Sequence, residues 1–418
     1  MSLLDDVSIV VTPNGYKAGE LYAVVPSSGA ADMDVTRATD ATRVNEAALI
    51  DDVLANVPRI DYTGGGCPHI LAEPQRTNTI TFSEDLNQAS SIVVNATVLL
   101  NQGTSPKGDN SANKFTADTS FPNARLGVTT VINKKYTTSI FAKYEGYQFI
   151  LLNFTTNFNN GSSGAWFDIL NGTIGTTQSD VTFTKIEQLS NNWYRISITS
   201  EATSSGTGQV RIHLCDTDGS STITGTTGLS NFVWGFQIEE GSFVTSLIPT
   251  SGSTVTRNQD QFTRDGIVSL INSEEGTLVI EPRYFINDGS GTGRKIAISD
   301  GTSNNRIYIT PYQGLASRIR YIFTNGGATQ ADLQVTGIDI TISRKLAFVW
   351  KANRFELWQN GSKISEDTSG TTPSAGTFNE INLSSELGNG AEPFEGELKQ
   401  LQVYKTALTD TQLAALTS

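Results

Sequence analysis

The sequence predicts an all-β protein made of two tandem β-sandwiches behind an irregular N-terminal segment. Three observations predict it. Short runs of Val, Ile, Phe and Tyr recur between clusters of Thr, Ser, Asn and Gly, which is the composition of strands punctuated by turns. Several runs alternate apolar and polar residues with period two, as half-buried strands do. Asn171-Gly172 and Asn360-Gly361 supply the positive-φ residues that tight hairpins need.

At ~150 residues per domain, 418 residues imply two or three domains. From Arg43 to Asn56, apolar Ala47, Leu49, Ile50, Val53 and Leu54 suit a short helical stripe, while Ile50, Val53 and Val57 suit a strand equally. Asp61 to Asn78 shows no periodicity, and a boundary is placed near residue 78. Tyr194, Ile196 and Ile198 share one face of a strand, as do Val210, Ile212 and Leu214. Ala165 to Leu170 and Leu346 to Trp350 read as further strands. Val35-Thr36-Arg37-Ala38-Thr39-Asp40 is echoed by Val255-Thr256-Arg257-Asn258-Gln259-Asp260, each after a loop rich in Gly and Ser. The second echo follows the turn-rich run Ile248 to Ser253, and a second boundary is placed near 257. Near the end, Thr409 followed by Asp410 and by Leu413 and Leu416 predicts a capped helical turn. The expected domains are therefore 1–78, 79–257 and 258–418, with residues from Asn258 onward folding by themselves.

The charge sum of −13 leaves no basic footprint for a phosphate backbone, so nucleic acid is excluded as an expected partner. Cys67 and Cys215 are too few for a disulfide framework and too far apart for a cysteine zinc pattern. No basic leader opens the chain and no apolar run approaches ~18 residues, so neither a signal peptide nor a membrane span is expected.

Catalytic constellations are sparse. His69 sits in a Gly-Pro loop, and His213 shares a strand face with Arg211 and Cys215, opposite the apolar face. Glu274-Glu275 and the Glu395, Glu397 pair lack the Glu-x-Asp-x-x-Glu spacing that sets alternate carboxylates on one strand face in some sandwich glycosidases. No enzyme and no catalytic residue is predicted. Cys67-Pro68-His69 has no second ligand pair, so no metal centre is predicted there. Asp216-Thr217-Asp218-Gly219 gathers hard oxygens of the kind calcium takes, and a polar hairpin turn accounts for the same residues. No other cofactor is expected. Sugar binding uses aromatic faces beside hydrogen-bonding groups. Alternation in Arg354 to Trp358 sets Trp358, Arg354 and Glu356 opposite Phe355 and Leu357. Trp358 with Arg354 and Glu356 is therefore a candidate site, as are Tyr308, Tyr312, Tyr144 and Tyr147. A core or interface position explains the same rings. Trp166, Trp193, Trp234 and Trp350 lie within strand patterns and read as core.

Pro58-Arg59-Ile60-Asp61-Tyr62, Gly66-Cys67-Pro68 and Leu71 to Asn78 together resemble a signature of bacteriophage virion proteins found in tail and appendage components. Phe82 to Asp85, Ser139 to Lys143, Asn192 to Arg195 and Trp234 to Glu239, leading to Ile248-Pro249-Thr250, are similar to a phage carbohydrate-binding-like β-sandwich. Phe355 to Gly361 and Gly396 to Thr409 resemble concanavalin A-like or laminin G-like lectin domains. The resemblance implies jelly-roll or lectin-like sandwiches. It also implies a structural virion protein, a fibre, tail or capsid appendage that adheres to host surface glycans. Residues 1–78 would attach it to other virion proteins, a homotrimer is implied, and the protein would be made in the host cytoplasm and carried on the virion. A polysaccharide depolymerase and a purely structural decoration protein are the alternatives, because fold alone does not fix function.

Overall fold

The computed structural model describes residues 3–88, 91–159, 162–287, 294–311, 314–383 and 392–418. It is nearly all β, with 52% strand and 3% helix, in jelly-roll and lectin-like sheets. One sandwich is interrupted by the other. The larger is a single hydrogen-bonded path that starts with Ala328–Thr336, Arg318–Asn325, Arg306–Pro311 and Ile296–Ser299 and ends with Leu346–Lys351, Arg354–Gln359 and Ser362–Asp367. Rings from its two ends meet, Tyr321 with Phe348 at 5.2 Å and Phe323 with Phe355 at 4.9 Å. The path thus curls over one continuous aliphatic and aromatic core.

The middle of that path is N-terminal. Val7–Lys17 pairs with Glu20–Val25 on one side and with Gly396–Tyr404 on the other, with Ile9 opposite Val403 and Val11 opposite Leu401. Met33–Thr36 pairs in turn with Gln261–Arg264. This corrects the expectation of an irregular attachment segment over 1–78, because Ile9, Val11, Leu21, Met33 and Val35 are core residues. The strands of residues 7–36 are locked inside a sheet. Their strand signal is interrupted by Pro13, Asn14 and Gly15 and by the turn at Gly19, which hides the period-two pattern. The 43–56 stretch resolves as a hairpin, Ala41–Val44 against Ile50–Val53, and not as a helix. The terminal helix forms at Asp410–Thr417 with the Thr409 capping box closed by Gln412.

The inserted sandwich consists of two six-stranded sheets. Tyr194, Ile196, Ile198, Val210, Ile212 and Leu214 all face its interior, as their alternation predicts. Trp193 and Trp234 are buried on the outer face of one sheet, beneath the hairpin and Leu247. The insertion leaves and rejoins its host through two antiparallel strands, Arg76–Asn78 and Val255–Arg257.

At that junction the two Val-Thr-Arg echoes meet. Arg37 Nη1 lies 2.9 Å from Asp260 Oδ1, and Arg59 Nη2 contacts the other oxygen of Asp260. Arg59 Nη1 and Arg257 Nη1 lie 2.6 and 2.7 Å from Glu73 Oε2. Ser246 donates its amide and hydroxyl to Glu73 at 2.7 and 2.6 Å. All five charged residues are buried, and each partner compensates the desolvation of the others. Burial pushes the Glu73 carboxyl up, but Arg257, Arg59 and the Ser246 donors outweigh it and hold it well below its ordinary value of 4.5.

A fragment beginning at Asn258 lacks the strands that bridge Gln261–Arg264 to Gly396–Tyr404, so it should melt without cooperativity. A chain in which a short Gly-Ser turn joins Asn78 to Val255 should melt as a single cooperative unit, measured by calorimetry. Because the Glu73 pKa is lowered in the fold, its contribution is complete above about pH 4.5 and is lost as pH falls further. Glu73→Gln should cost ~3–5 kcal/mol in denaturant titrations at pH 7 and flatten the acid limb of the stability profile.

Candidate functional site

The outer face of one sheet of the insertion does not pack completely against the junction. Between them lies a narrow cleft of about 80 Å³, open to solvent at its mouth. One wall is the sheet, with Phe141, Lys185, Glu187 and Arg195. The facing wall is the hairpin and the loop after it, with Thr42, Ile50, Asp61 and Tyr62. Val244 to Leu247 form a third side, and Phe285 and Glu397 of the host sandwich reach its end. The Phe285 ring stacks at 5.2 Å on Phe243 of the connection leaving the insertion, which fixes that end of the cleft. The lining combines apolar surface with a few converging polar groups, the usual make-up of a small-molecule site.

The electrostatics of the lining are uneven. Glu73 is held by the junction arginines described above. Glu397 accepts two bonds from Arg283 Nη1 at 2.8 and 2.9 Å. Asp61 accepts from the Val44 and Thr63 amides, each at 2.7 Å, and lies 3.2 Å from His69 Nε2. Burial raises the Asp61 pKa, yet His69 and those amides hold it below the carboxylate range. With Asp61 and Glu73 both shifted down, neither suits the general-acid role that glycoside hydrolysis needs. Lys185 is bound to Glu187 at 2.6 Å. Among the described residues Arg195 has no such partner: its Nη2 donates to Ser139 Oγ at 3.0 Å, its guanidinium lies 5.2 Å from the Phe141 ring, and its Nε is buried without an acceptor.

The described candidate aromatic residues, Trp358, Tyr144, Tyr147 and Tyr308, lie elsewhere and do not converge. Trp358 is only 5% exposed, which corrects its reading as a platform. Alternation places it opposite Phe355 and Leu357, but that outer face is covered by the terminal helix and forms a second small core with Leu408 and Leu413. Trp358 Nε1 donates to Glu356 Oε2 at 2.8 Å. Arg354 bridges Glu356 and Asp410, so this pair clamps the helix and is not free for a sugar. Burial raises the Glu356 pKa, while Arg354, Lys363 and Trp358 lower it further. Tyr147 is also buried, with its hydroxyl donating to Thr226 O at 2.9 Å. Tyr144 is exposed. Tyr308 is half-buried, with Lys295 at 4.8 Å and Arg306 at 5.1 Å from its ring. Tyr312 lies outside the described residues.

The polar candidates are engaged structurally. Asp216 caps the loop amides of Thr224 and Gly225 at 2.8 and 2.7 Å, and Asp218 accepts from the amide and hydroxyl of Thr176. Among the described residues, no group of three or more His, Cys, Asp or Glu is placed to hold a metal ion. Glu275 pairs with Lys351 and Glu395 with Arg294. His213 is sealed beside Phe121, and burial pulls its pKa down to about 3. The cleft itself escaped sequence reasoning. Its one available signal was Arg195, a charge between Trp193 and Ser197 on the face opposite the core.

Residues 285–414 match the family model of the concanavalin A-like lectin/glucanases superfamily. No curated protein matches the sequence. Among solved structures, the chain is similar to the carbohydrate-binding module CBM40 of the Ruminococcus gnavus IT-sialidase, bound to α2,3-sialyllactose. That match is 20% identical, covers 35% of this chain and 83% of the other, and has a TM-score of 0.30. Domain 4 of the Geobacillus stearothermophilus extracellular arabinanase AbnA, in complex with arabinotriose, is 18% identical over 38% of this chain and 73% of that one, with a TM-score of 0.29. Domains LG4-5 of the mouse laminin α1 chain are 11% identical over 80% and 93%, with a TM-score of 0.25.

Because Trp358 is buried beneath the helix, Trp358→Ala should lower stability by ~3–5 kcal/mol. Thermal and denaturant melts of the variant check this, and an unchanged melting temperature would contradict the burial.

Proposed function

We propose that the chain is a non-catalytic, glycan-binding adhesin displayed on a bacteriophage particle, as a fibre, tail or capsid appendage. The observation that carries the glycan part is the match of residues 285–414 to the concanavalin A-like lectin/glucanases model. The cleft is the proposed place of binding, since it joins aromatic and aliphatic walls to hydroxyl and charged groups. The phage part is supported by the resemblance of residues 58–78 to a virion signature. In the fold, that run supplies Arg59 and Glu73 to the junction and Asp61 to the cleft wall. Weak single sites become firm attachment when copies are linked, by factors on the order of 10²–10⁴. A trimeric appendage would provide that linkage.

Purified protein applied to a panel of bacterial surface glycans should retain some members and release no reducing ends. Antibodies against it should decorate intact particles in electron micrographs. Release of reducing ends would replace adhesion by depolymerisation, and undecorated particles would remove the virion assignment.

A further inference from the structure

We propose that the cleft takes a carboxylate-bearing sugar residue, with the Arg195 guanidinium receiving the carboxylate. This rests on the glycan-binding reading and narrows its ligand to acidic saccharides.

Arg195 stands apart from the other buried arginines. Arg37, Arg59 and Arg257 are sealed in the junction, and each contacts a carboxylate. Arg195 is 8% exposed and makes no ion pair among the described residues. Its cross-strand neighbours are Phe141 and Glu187, and the Glu187 carboxylate is already bound by Lys185. An arginine does not shed its proton to escape burial. A buried cation without a counter-ion is costly unless some other group completes it. Ser139 satisfies one Nη2 bond and the Phe141 face shields one side of the guanidinium. Glu187, Glu239, Glu73 and Asp61 act on it from further off, but among the described residues no carboxylate bonds to it directly, and the open space beside Arg195 is the cleft.

The surroundings specify the kind of anion. A guanidinium fork fits a carboxylate bidentately. The half-buried Phe285 ring offers an apolar edge to a pyranose, and the exposed Gln188 amide offers a hydrogen-bonding group for its hydroxyls. Asp61, Glu73 and Glu397 on the same lining tolerate a singly charged ligand better than a doubly charged phosphate ester, since like charges at short range repel. A uronic or similarly acidic sugar meets all of these conditions.

The test uses the full chain. Galacturonate, glucuronate, N-acetylneuraminate, galactose and galactose 6-phosphate are titrated while the Arg195 Nε–H resonance is followed by NMR. Affinities for the same sugars are measured for Arg195→Met and Arg195→Lys. At least one acidic sugar should shift the Arg195 resonance and bind about tenfold or more tighter than galactose, with galactose 6-phosphate weaker than that acid. Arg195→Met should lose the preference without a lower melting temperature, and Arg195→Lys should keep part of it. Neutral and acidic sugars binding alike, or an unchanged preference in Arg195→Met, would overturn the inference and leave glycan binding standing. A clearly lower melting temperature in Arg195→Met, with the preference absent from Arg195→Lys as well, would make the guanidinium structural and also overturn it. Failure of every sugar, neutral and acidic, would overturn the glycan-binding reading itself.

Discussion

The five-membered ionic cluster at the junction is the constraint on which the rest of the molecule depends. Arg37 and Arg59 come from the entering chain, Glu73 from the approach to the insertion, and Arg257 and Asp260 from the returning chain. No two of these segments are close in sequence across the insertion, so the cluster forms only when both connections are correctly placed. Three guanidinium groups and two carboxylates are buried together. Removing any one partner strands the others as uncompensated buried charges, which is strongly destabilising. The cluster also fixes the cleft, since Glu73 and Ser246 belong to both.

The sequence was most legible where one face of a strand meets one core. Tyr194, Ile196 and Ile198 point where alternation sends them, and Thr409 caps the helix it announces. It was least legible where a second layer covers a face that looks free. Trp358 occupies such an outer face, yet it lies under a helix. Period-two patterns report which residues share a side and say nothing about what later covers that side.

The echoed Val-Thr-Arg motifs mark a real seam, but their geometry is one of meeting and not of repetition. Read along the chain, the second of them marks a boundary near residue 257. In the fold, the arginine of the first motif pairs with the aspartate of the second, because the intervening sandwich is an excursion that returns to its starting point. Insertions of this kind need only a pair of nearby exit points, here the paired strands Arg76–Asn78 and Val255–Arg257. The cleft is a by-product of that return. It sits where the outer face of the excursion faces its own host, a position that no local pattern encodes.

Pairing of Val7–Lys17 with Gly396–Tyr404 has a consequence for biosynthesis. At ~5–20 residues per second, the first strand waits roughly 20 to 80 seconds on the ribosome before its final neighbour is made. During that interval Ile9, Val11 and Leu21 have no complete sheet to enter, while the inserted sandwich, whose strands all lie within one stretch of chain, is complete and free to fold. The nascent molecule therefore carries a finished domain in the middle and an unprotected apolar edge at its beginning. That order of assembly puts the demand for chaperone protection on the N-terminal strands, even though they end as the innermost strands of the sheet.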